Sequence, residues 1–177
     1  MQANATKFQS MVLCKDSSQT DIVFNIGDVC IKPEPFVKLL GVYLDEKLNF
    51  SHHIKYMSKR CGRQLNAIGR LSRKLSRDCK LRLMNAFIMS NFNFCSVVYH
   101  HCKLSDTHKL EKLQERALRY VYDDFESEYK VLLQVTNNPT LFEARQKIMM
   151  ECVFNILHNM LPAMKTDFFN VKILNII

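Results

Sequence analysis

The sequence lacks tryptophan, holds only four glycines and four prolines in 177 residues, and carries no acidic residue between positions 51 and 77. With so few glycines, it has no glycine-rich loop of the kind that cradles a nucleotide's phosphates. It shows no secretion signal, so we expect its seven cysteines to be reduced thiols in the nucleus or cytoplasm. The contents of 47% apolar and 24% charged residues exclude the disordered and fibrous classes and indicate a globular chain.

The longest uncharged stretch, between Arg82 and Lys103, has about the length of a membrane span. Its asparagines, serines and histidines would all need hydrogen-bond partners in lipid. The stretch therefore predicts a buried protein helix, and we expect no membrane partner.

The positive charge is concentrated in the middle of the chain. Residues 51–122 hold 15 basic and 4 acidic residues, a net charge of +11, whereas residues 1–50 carry −1 and residues 123–177 carry −2. A surface that meets a polyanion has this kind of local excess. A basic linker or a solvated face is the alternative interpretation.

The first fifty residues are predicted to form short antiparallel strands, because runs rich in Val, Ile and Phe alternate with polar turns. The predicted strands are Phe8–Cys14, Ile22–Ile26, Val29–Ile31 and Phe36–Leu44. Gly27-Asp28 fits a tight turn, and Gly41 suggests a bulge or a close backbone approach within the fourth strand. Four strands without a covering helix cannot bury both faces of a sheet, so we expect the edge of something larger.

From residue 51 the apolar residues recur at helical spacing. Ser51 is the predicted cap, and the predicted inner stripe comprises Ile54, Met57, Cys61, Leu65, Ile68, Leu71 and Leu75. The predicted nucleic-acid-binding residues on the opposite face are Lys55, Lys59, Arg63, Arg70, Arg73, Lys74 and Arg77. An acid-free stripe of cations can neutralise several phosphates at once. We expect no aromatic residue to interleave with this face, and hence no stacking on bases.

Further amphipathic segments follow. Ser76 is predicted to cap a second helix whose inner face holds Leu81, Met84, Phe87, Ile88, Phe92 and Cys95. Other helices are predicted at Asp106–Tyr122, near Glu126–Gln134, and from the capping box Thr140–Glu143 to about Met160, before Pro162. The predicted fold is α+β: a strand segment over 1–50, a helical bundle with a basic first helix over 51–168, and a tail over 169–177.

Two motifs invite a catalytic or metal interpretation. Tyr122-Asp123-Asp124 resembles a metal-binding acid pair, but polymerases place that pair between strands, and here it follows a helix, so a helix-ending acidic loop is favoured. Cys95 and the run His100-His101-Cys102 lack the paired spacings of a zinc site and favour core thiols and ordinary histidines. We predict no catalytic residue, no metal site and no cofactor in this chain.

Several stretches together resemble the reverse transcriptases of non-LTR (LINE, jockey-like) retrotransposons. The stretch 4–8 (NATKF) with 11–13 (MVL) is similar to the Asn-x-x-Lys strand that follows that family's catalytic hairpin. Residues 37–45 (VKLLGVYLD) with 48–50 (LNF) resemble the segment that closes the palm and leads into the thumb. The stretches 85–88 (NAFI), 92–95 (FNFC) and 113–119 (LQERALR) are similar to the helical region beyond the palm, and the resemblance covers about 1–168.

The resemblance implies RNA-directed DNA polymerisation for a parent protein. The family's catalytic Asp and its Phe/Tyr-Ala-Asp-Asp hairpin do not occur here, Tyr99 stands where the family often has Trp, and Lys7 would be the palm lysine. A divalent metal, Mg²⁺, is implied only for the complete enzyme. The expected partners are RNA or an RNA–DNA duplex, bound through the phosphate backbone, and a palm and fingers portion. The alternative is a non-catalytic helical interaction module or a non-functional transposon relic.

Overall fold

The computed structural model describes residues 8–13, 23–26, 29–158 and 160. Within these ranges, two antiparallel strand pairs precede a set of helices, which confirms the predicted α+β class. No helix in the described ranges is both long and apolar enough to cross a membrane. Lys7, the Gly27-Asp28 turn, the helix end at Pro162 and the tail 169–177 lie outside the described residues.

The first strand pair joins β1 (Phe24–Ile26) to β2 (Val29–Ile31), with Ile26 opposite Val29. The predicted strand over Phe8–Cys14 is wrong for the part that the structure describes. There, only Ser10 forms an isolated bridge, to Pro33. In their described parts, the predicted strands Ile22–Ile26 and Val29–Ile31 are present as this antiparallel pair.

The predicted fourth strand is instead a hairpin of β3 (Phe36–Leu39) and β4 (Val42–Asp45). Leu40 and Gly41 form its two-residue loop, with φ of 45° and 94°, as the tightest hairpin loops require. The bulge predicted at Gly41 is wrong, but the close backbone approach is confirmed. A Cβ at this position would lie 3.2 Å from the ring of Phe94.

The first helix, α1, spans Ser51–Leu71 and buries five residues of the predicted stripe: Ile54, Met57, Cys61, Leu65 and Ile68. A short 3₁₀ turn, Ser72–Lys74, follows, so Leu71 is half exposed and Leu75 lies beyond the helix. The predicted cap at Ser51 is wrong, since its hydroxyl donates instead to Asp106, at 2.7 Å. The carboxylate of Asp45 orders the approach to α1 by accepting the backbone N–H of Asn49 and of Phe50.

The second helical segment changes its winding midway. It comprises α2 (Arg77–Leu83), a π-helical turn (Met84–Met89) and α3 (Ser90–Asn93), and Ser76 caps it as predicted. Inward residues follow at intervals of four through the wider π turn, namely Met84, Ile88 and Phe92. The prediction that Phe87 points inward is wrong, since its side chain is 48% exposed.

The central helix is α4 (Leu104–Tyr122), which packs against α1, α2, α5 (Tyr129–Thr136) and α6 (Leu141–Leu157). Its predicted inner residues Leu110, Ala117, Leu118 and Val121 are buried. The capping box of Thr140 and Glu143 is present at the start of α6. The core of the helical region therefore forms around α4.

Candidate nucleic-acid interface

The seven predicted cations are all exposed. Lys55, Lys59, Arg63 and Arg70 project from α1, Arg73 and Lys74 from the 3₁₀ turn, and Arg77 begins α2. We call these seven residues the basic face. Among the described residues, the ion pairs use other cations, and no acid lies within 4 Å of a basic-face nitrogen.

The basic face is extended along α1. Successive cations at intervals of four residues rise by about 6 Å, and Lys55 and Arg70 are separated by about 22 Å along the axis. That length corresponds to roughly six steps of a nucleic-acid duplex at about 3.4 Å each. The prediction of one continuous helix for all seven cations is wrong, because α1 ends at Leu71. Two of the cations lie in the 3₁₀ turn beyond it, and Arg77 lies at the start of α2.

An eighth cation joins the basic face from α4. Arg116 is exposed, and its guanidinium donates to Asn66 Oδ1 on α1 at 2.5 Å. It also donates to the hydroxyl of Tyr120, whose ring lies against Gly69. The sequence marks Arg116 as flanking the inner face of its own helix, but only the packing of α4 on α1 brings it to the basic face.

Aromatic side chains border the basic face, so the prediction that none would do so is wrong. Tyr56 lies on α1 between two of the cations and is 38% exposed. Its ring centre is 5.1 Å from that of Tyr43 on β4. Lys38 on β3 places its Nζ 5.5 Å and 5.8 Å from the centres of these two rings. The hairpin therefore adds the charge of Lys38 and the ring of Tyr43 beside Tyr56, near the start of α1.

His53 fastens the β3–β4 hairpin to α1. The backbone N–H of Tyr43 donates to His53 Nδ1 at 3.4 Å, which places the imidazole proton on Nε2. Burial, reinforced by the neighbouring charge of His52, holds the pKa of His53 below its usual value. A neutral His53 therefore keeps the hairpin in register with the basic face.

The acid pair after α4 is structural. Tyr122 is the last residue of α4, and Asp123 follows with φ of 55°. Both carboxylate oxygens of Asp123 lie 2.6 Å from Nζ of the buried Lys80. Asp124 Oδ1 accepts the backbone N–H groups of Glu126 and Ser127, which lower the pKa of Asp124. The helix-ending interpretation is confirmed, and neither carboxylate is placed to share a metal ion.

His100 and Cys102 pack into the protein interior, whereas His101 is exposed. His100 is buried with its ring against those of His101 and Phe142. The sulfur of Cys102 lies 3.5 Å from the hydroxyl of Thr107. In the described ranges, no three or more His, Cys, Asp or Glu side chains converge in an arrangement that could hold a metal ion.

Comparison with known proteins finds no matching family model, no similar curated protein and no similar solved structure. The resemblance to non-LTR reverse transcriptases therefore stays a hypothesis. The functional argument depends on the charges, aromatic rings and packing of the described residues.

Proposed function

We propose that this chain is a thumb-like part of a non-LTR reverse transcriptase and binds the phosphate backbone of RNA or of an RNA–DNA duplex through the basic face. The observation that carries the proposal is seven exposed cations with no acidic partner among the described residues. Such a surface repels itself, and a polyanion relieves that repulsion. The resemblance of 37–50 and 113–119 to the family supports this choice of parent protein.

Release of counterions from the nucleic acid is the expected driving force. For a DNA duplex, the logarithm of the binding constant falls with the logarithm of salt concentration by about 0.9 for each phosphate contacted. The four cations on α1 would together give a slope of about −3.6, and those beyond Leu71 would steepen it. Contacts of this kind fix position along the backbone but read no bases, so affinity should not depend on sequence.

The β3–β4 hairpin supports the same proposal from a second element. Lys38 extends the positive charge past the start of α1, and the exposed ring of Tyr56 offers a flat surface to an unpaired base. Stacking of a base on an aromatic ring contributes about 1–3 kcal/mol. A primer–template junction, which combines a duplex with a single strand, would engage both parts of this surface.

The proposal assigns no chemical step to this chain. Asp123 is held by Lys80 and Asp124 by backbone N–H groups, which gives both carboxylates a structural role. Polymerisation, together with its Mg²⁺, belongs in this proposal to a palm and fingers portion that carries the family's catalytic aspartates.

The test is a triple charge reversal on the basic face: Arg63→Glu, Arg70→Glu and Lys74→Glu. We expect the affinity for a 20-base-pair RNA–DNA duplex, measured by fluorescence anisotropy at several salt concentrations, to fall at least a hundredfold. The salt slope should become shallower by about 3, since three phosphate contacts are lost. Circular dichroism should show unchanged helicity, because all three side chains are exposed.

The matched control reverses three exposed lysines on other helices: Lys112→Glu, Lys130→Glu and Lys147→Glu. It changes the net charge by the same amount but leaves the basic face intact. We expect its affinity to fall less than tenfold and its salt slope to stay within one unit of the original. Equal losses in the two triple variants would show that net charge alone drives binding, which would contradict the assigned face.

A second candidate is a helical interaction module, favoured by the apolar outer side of α6. Met150, Val153, Phe154 and Leu157 are each about half exposed there. If this candidate is correct, light scattering should detect association that grows with protein concentration, and Phe154→Glu should abolish it. Duplex binding would then be absent at low salt, which separates this candidate from the first.

A further inference from the structure

Arg145, in the second turn of α6, is a buried cation without a hydrogen-bond partner. Its exposure is 2%, and within the described part of the chain none of its three guanidinium nitrogens has an acceptor. The nearest stabilising contact is the ring of Tyr99, whose centre lies 5.8 Å from the guanidinium carbon. A cation–π contact at that distance leaves all five N–H donors unused.

Burial of an unpaired charge is costly, and arginine cannot escape the cost by losing its proton. Lys80, the other buried cation of the described residues, meets this requirement through Asp123. The acids nearest to the start of α6 are already engaged: Glu143 in the capping box and Glu111 with the first backbone N–H groups of the helix. An anion from outside this set would satisfy Arg145.

Two further polar groups, in the segment whose Tyr99 contacts Arg145, are also buried and lack partners among the described residues. They are the hydroxyl of Ser96 and Nδ1 of His100. The ring of His100 lies against Phe142, at 5.4 Å between centres, and Phe142 precedes Arg145 by one helical turn. Ser96 lies one turn before Tyr99 and His100. The segment 94–102 therefore carries an unused hydroxyl and an unused imidazole, and its Tyr99 ring contacts the unused guanidinium on α6.

The charge of Arg145 influences the pKa values of Tyr99 and His100. Burial raises the pKa of Tyr99, and Arg145 opposes that rise. Burial, followed by the neighbouring His101 and then Arg145, lowers the pKa of His100. At neutral pH, His100 is therefore uncharged and can donate or accept a hydrogen bond without adding a second positive charge.

We propose that Arg145 anchors a buried site for a small oxyanion, a carboxylate or phosphate group held by the guanidinium fork with Ser96 and His100 as further partners. Planar oxyanions match the fork through two parallel hydrogen bonds. The site is distinct from the basic face, because its cation is buried and lies on α6. A free small anion fits this burial, whereas a nucleic-acid backbone does not.

The experiment is thermal unfolding of the full chain at pH 7 and constant ionic strength, with sodium chloride replaced stepwise by sodium phosphate or, in a parallel series, by sodium acetate. We expect Tm to rise with the logarithm of anion concentration once the Kd is passed, by about 3–6 °C when the anion reaches ten times its Kd. Arg145→Met keeps the side-chain volume and should remove the rise. Arg63→Met, on the exposed basic face, should retain it in full.

The two series distinguish the anions: a rise in phosphate alone assigns a tetrahedral oxyanion, and a rise in acetate assigns a carboxylate. If Arg145→Met does not fold, Ser96→Ala should raise the apparent Kd about tenfold, the effect of one lost hydrogen bond to a charged ligand. The absence of a rise in Tm in both series would overturn the proposal. So would an equal rise in Arg145→Met, or a rise that disappears in Arg63→Met.

Discussion

Replacement of Asp123 by asparagine tests whether the acid pair stabilises the fold or serves chemistry. Lys80 Nζ lies 2.6 Å from both oxygens of Asp123, and the side chain of Lys80 is 3% exposed while that of Asp123 is 66% exposed. Asparagine tolerates the positive φ of this position, as aspartate does. Asp123→Asn therefore removes the negative charge and little else, and it leaves a buried ammonium without its counter-ion.

The expected cost lies between two limits. Breaking a fully buried pair costs about 3–5 kcal/mol, and breaking an exposed pair costs less than about 1 kcal/mol. With one partner buried and the other largely solvated, we expect a loss of about 2 kcal/mol in the free energy of unfolding. For a chain of this size, Tm should fall by about 4–8 °C, which urea and thermal unfolding followed by circular dichroism would measure.

Two comparisons decide whether the ion pair is the cause. Glu126→Gln removes a charge from the same loop, and no described cation lies within 4 Å of Glu126, so stability should change by less than about 0.5 kcal/mol. In a Lys80→Met background, Asp123→Asn should cost almost nothing, since no buried charge remains. A cost of 2 kcal/mol that persists in that background would refute the reasoning.

Four other substitutions probe the packing of the helices and of the β3–β4 hairpin. Gly62→Ala should stabilise the chain by up to about 1 kcal/mol, because the added methyl meets nothing within 4 Å. Gly69→Ala should lose that gain, because its methyl would lie 2.9 Å from the ring of Tyr120. Urea unfolding of the two variants measures the difference. Glu111→Gln should cost about 1–2 kcal/mol by the same assay, since it weakens two charge-assisted hydrogen bonds at the start of α6. The free energy of unfolding should fall as pH is lowered below about 6.5, because the unfolded chain protonates His53 before the folded chain does. In unfolding experiments between pH 7.5 and 5, His53→Asn should make this dependence on pH weaker.

The inner stripe of α1 could be predicted because helical periodicity is a local property, and five of its seven residues are buried. The end of α1 at Leu71 could not, because the apolar spacing continues to Leu75 while the chain turns. The β3–β4 hairpin was missed because Leu40, a residue with little preference for positive φ, occupies the first loop position. In each case, tertiary packing overrode the local pattern.

The candidate interface likewise combines residues whose exposure the sequence predicts with residues that only tertiary packing brings there. The exposure of Lys55, Lys59 and the other basic-face residues follows from their position opposite an apolar stripe. By contrast, Arg116 and Lys38 come from elements distant in sequence, and no spacing rule places them beside α1. The burial of Arg145 without a partner could not be predicted either, because a single arginine in an amphipathic helix usually predicts an exposed side chain.

Cys61 is buried in the middle of α1, so the rate at which its thiol reacts can report how often the helical core opens. The side chain is fully buried, and desolvation raises the pKa of its thiol to about 11. At pH 8 only about one molecule in a thousand would carry the thiolate even before access is considered. Cys30 and Cys79 are exposed free thiols and should react at once with an alkylating reagent. The slow labelling of Cys61 would then report how often the core around α1 opens in the intact chain, without a thiol introduced by mutation.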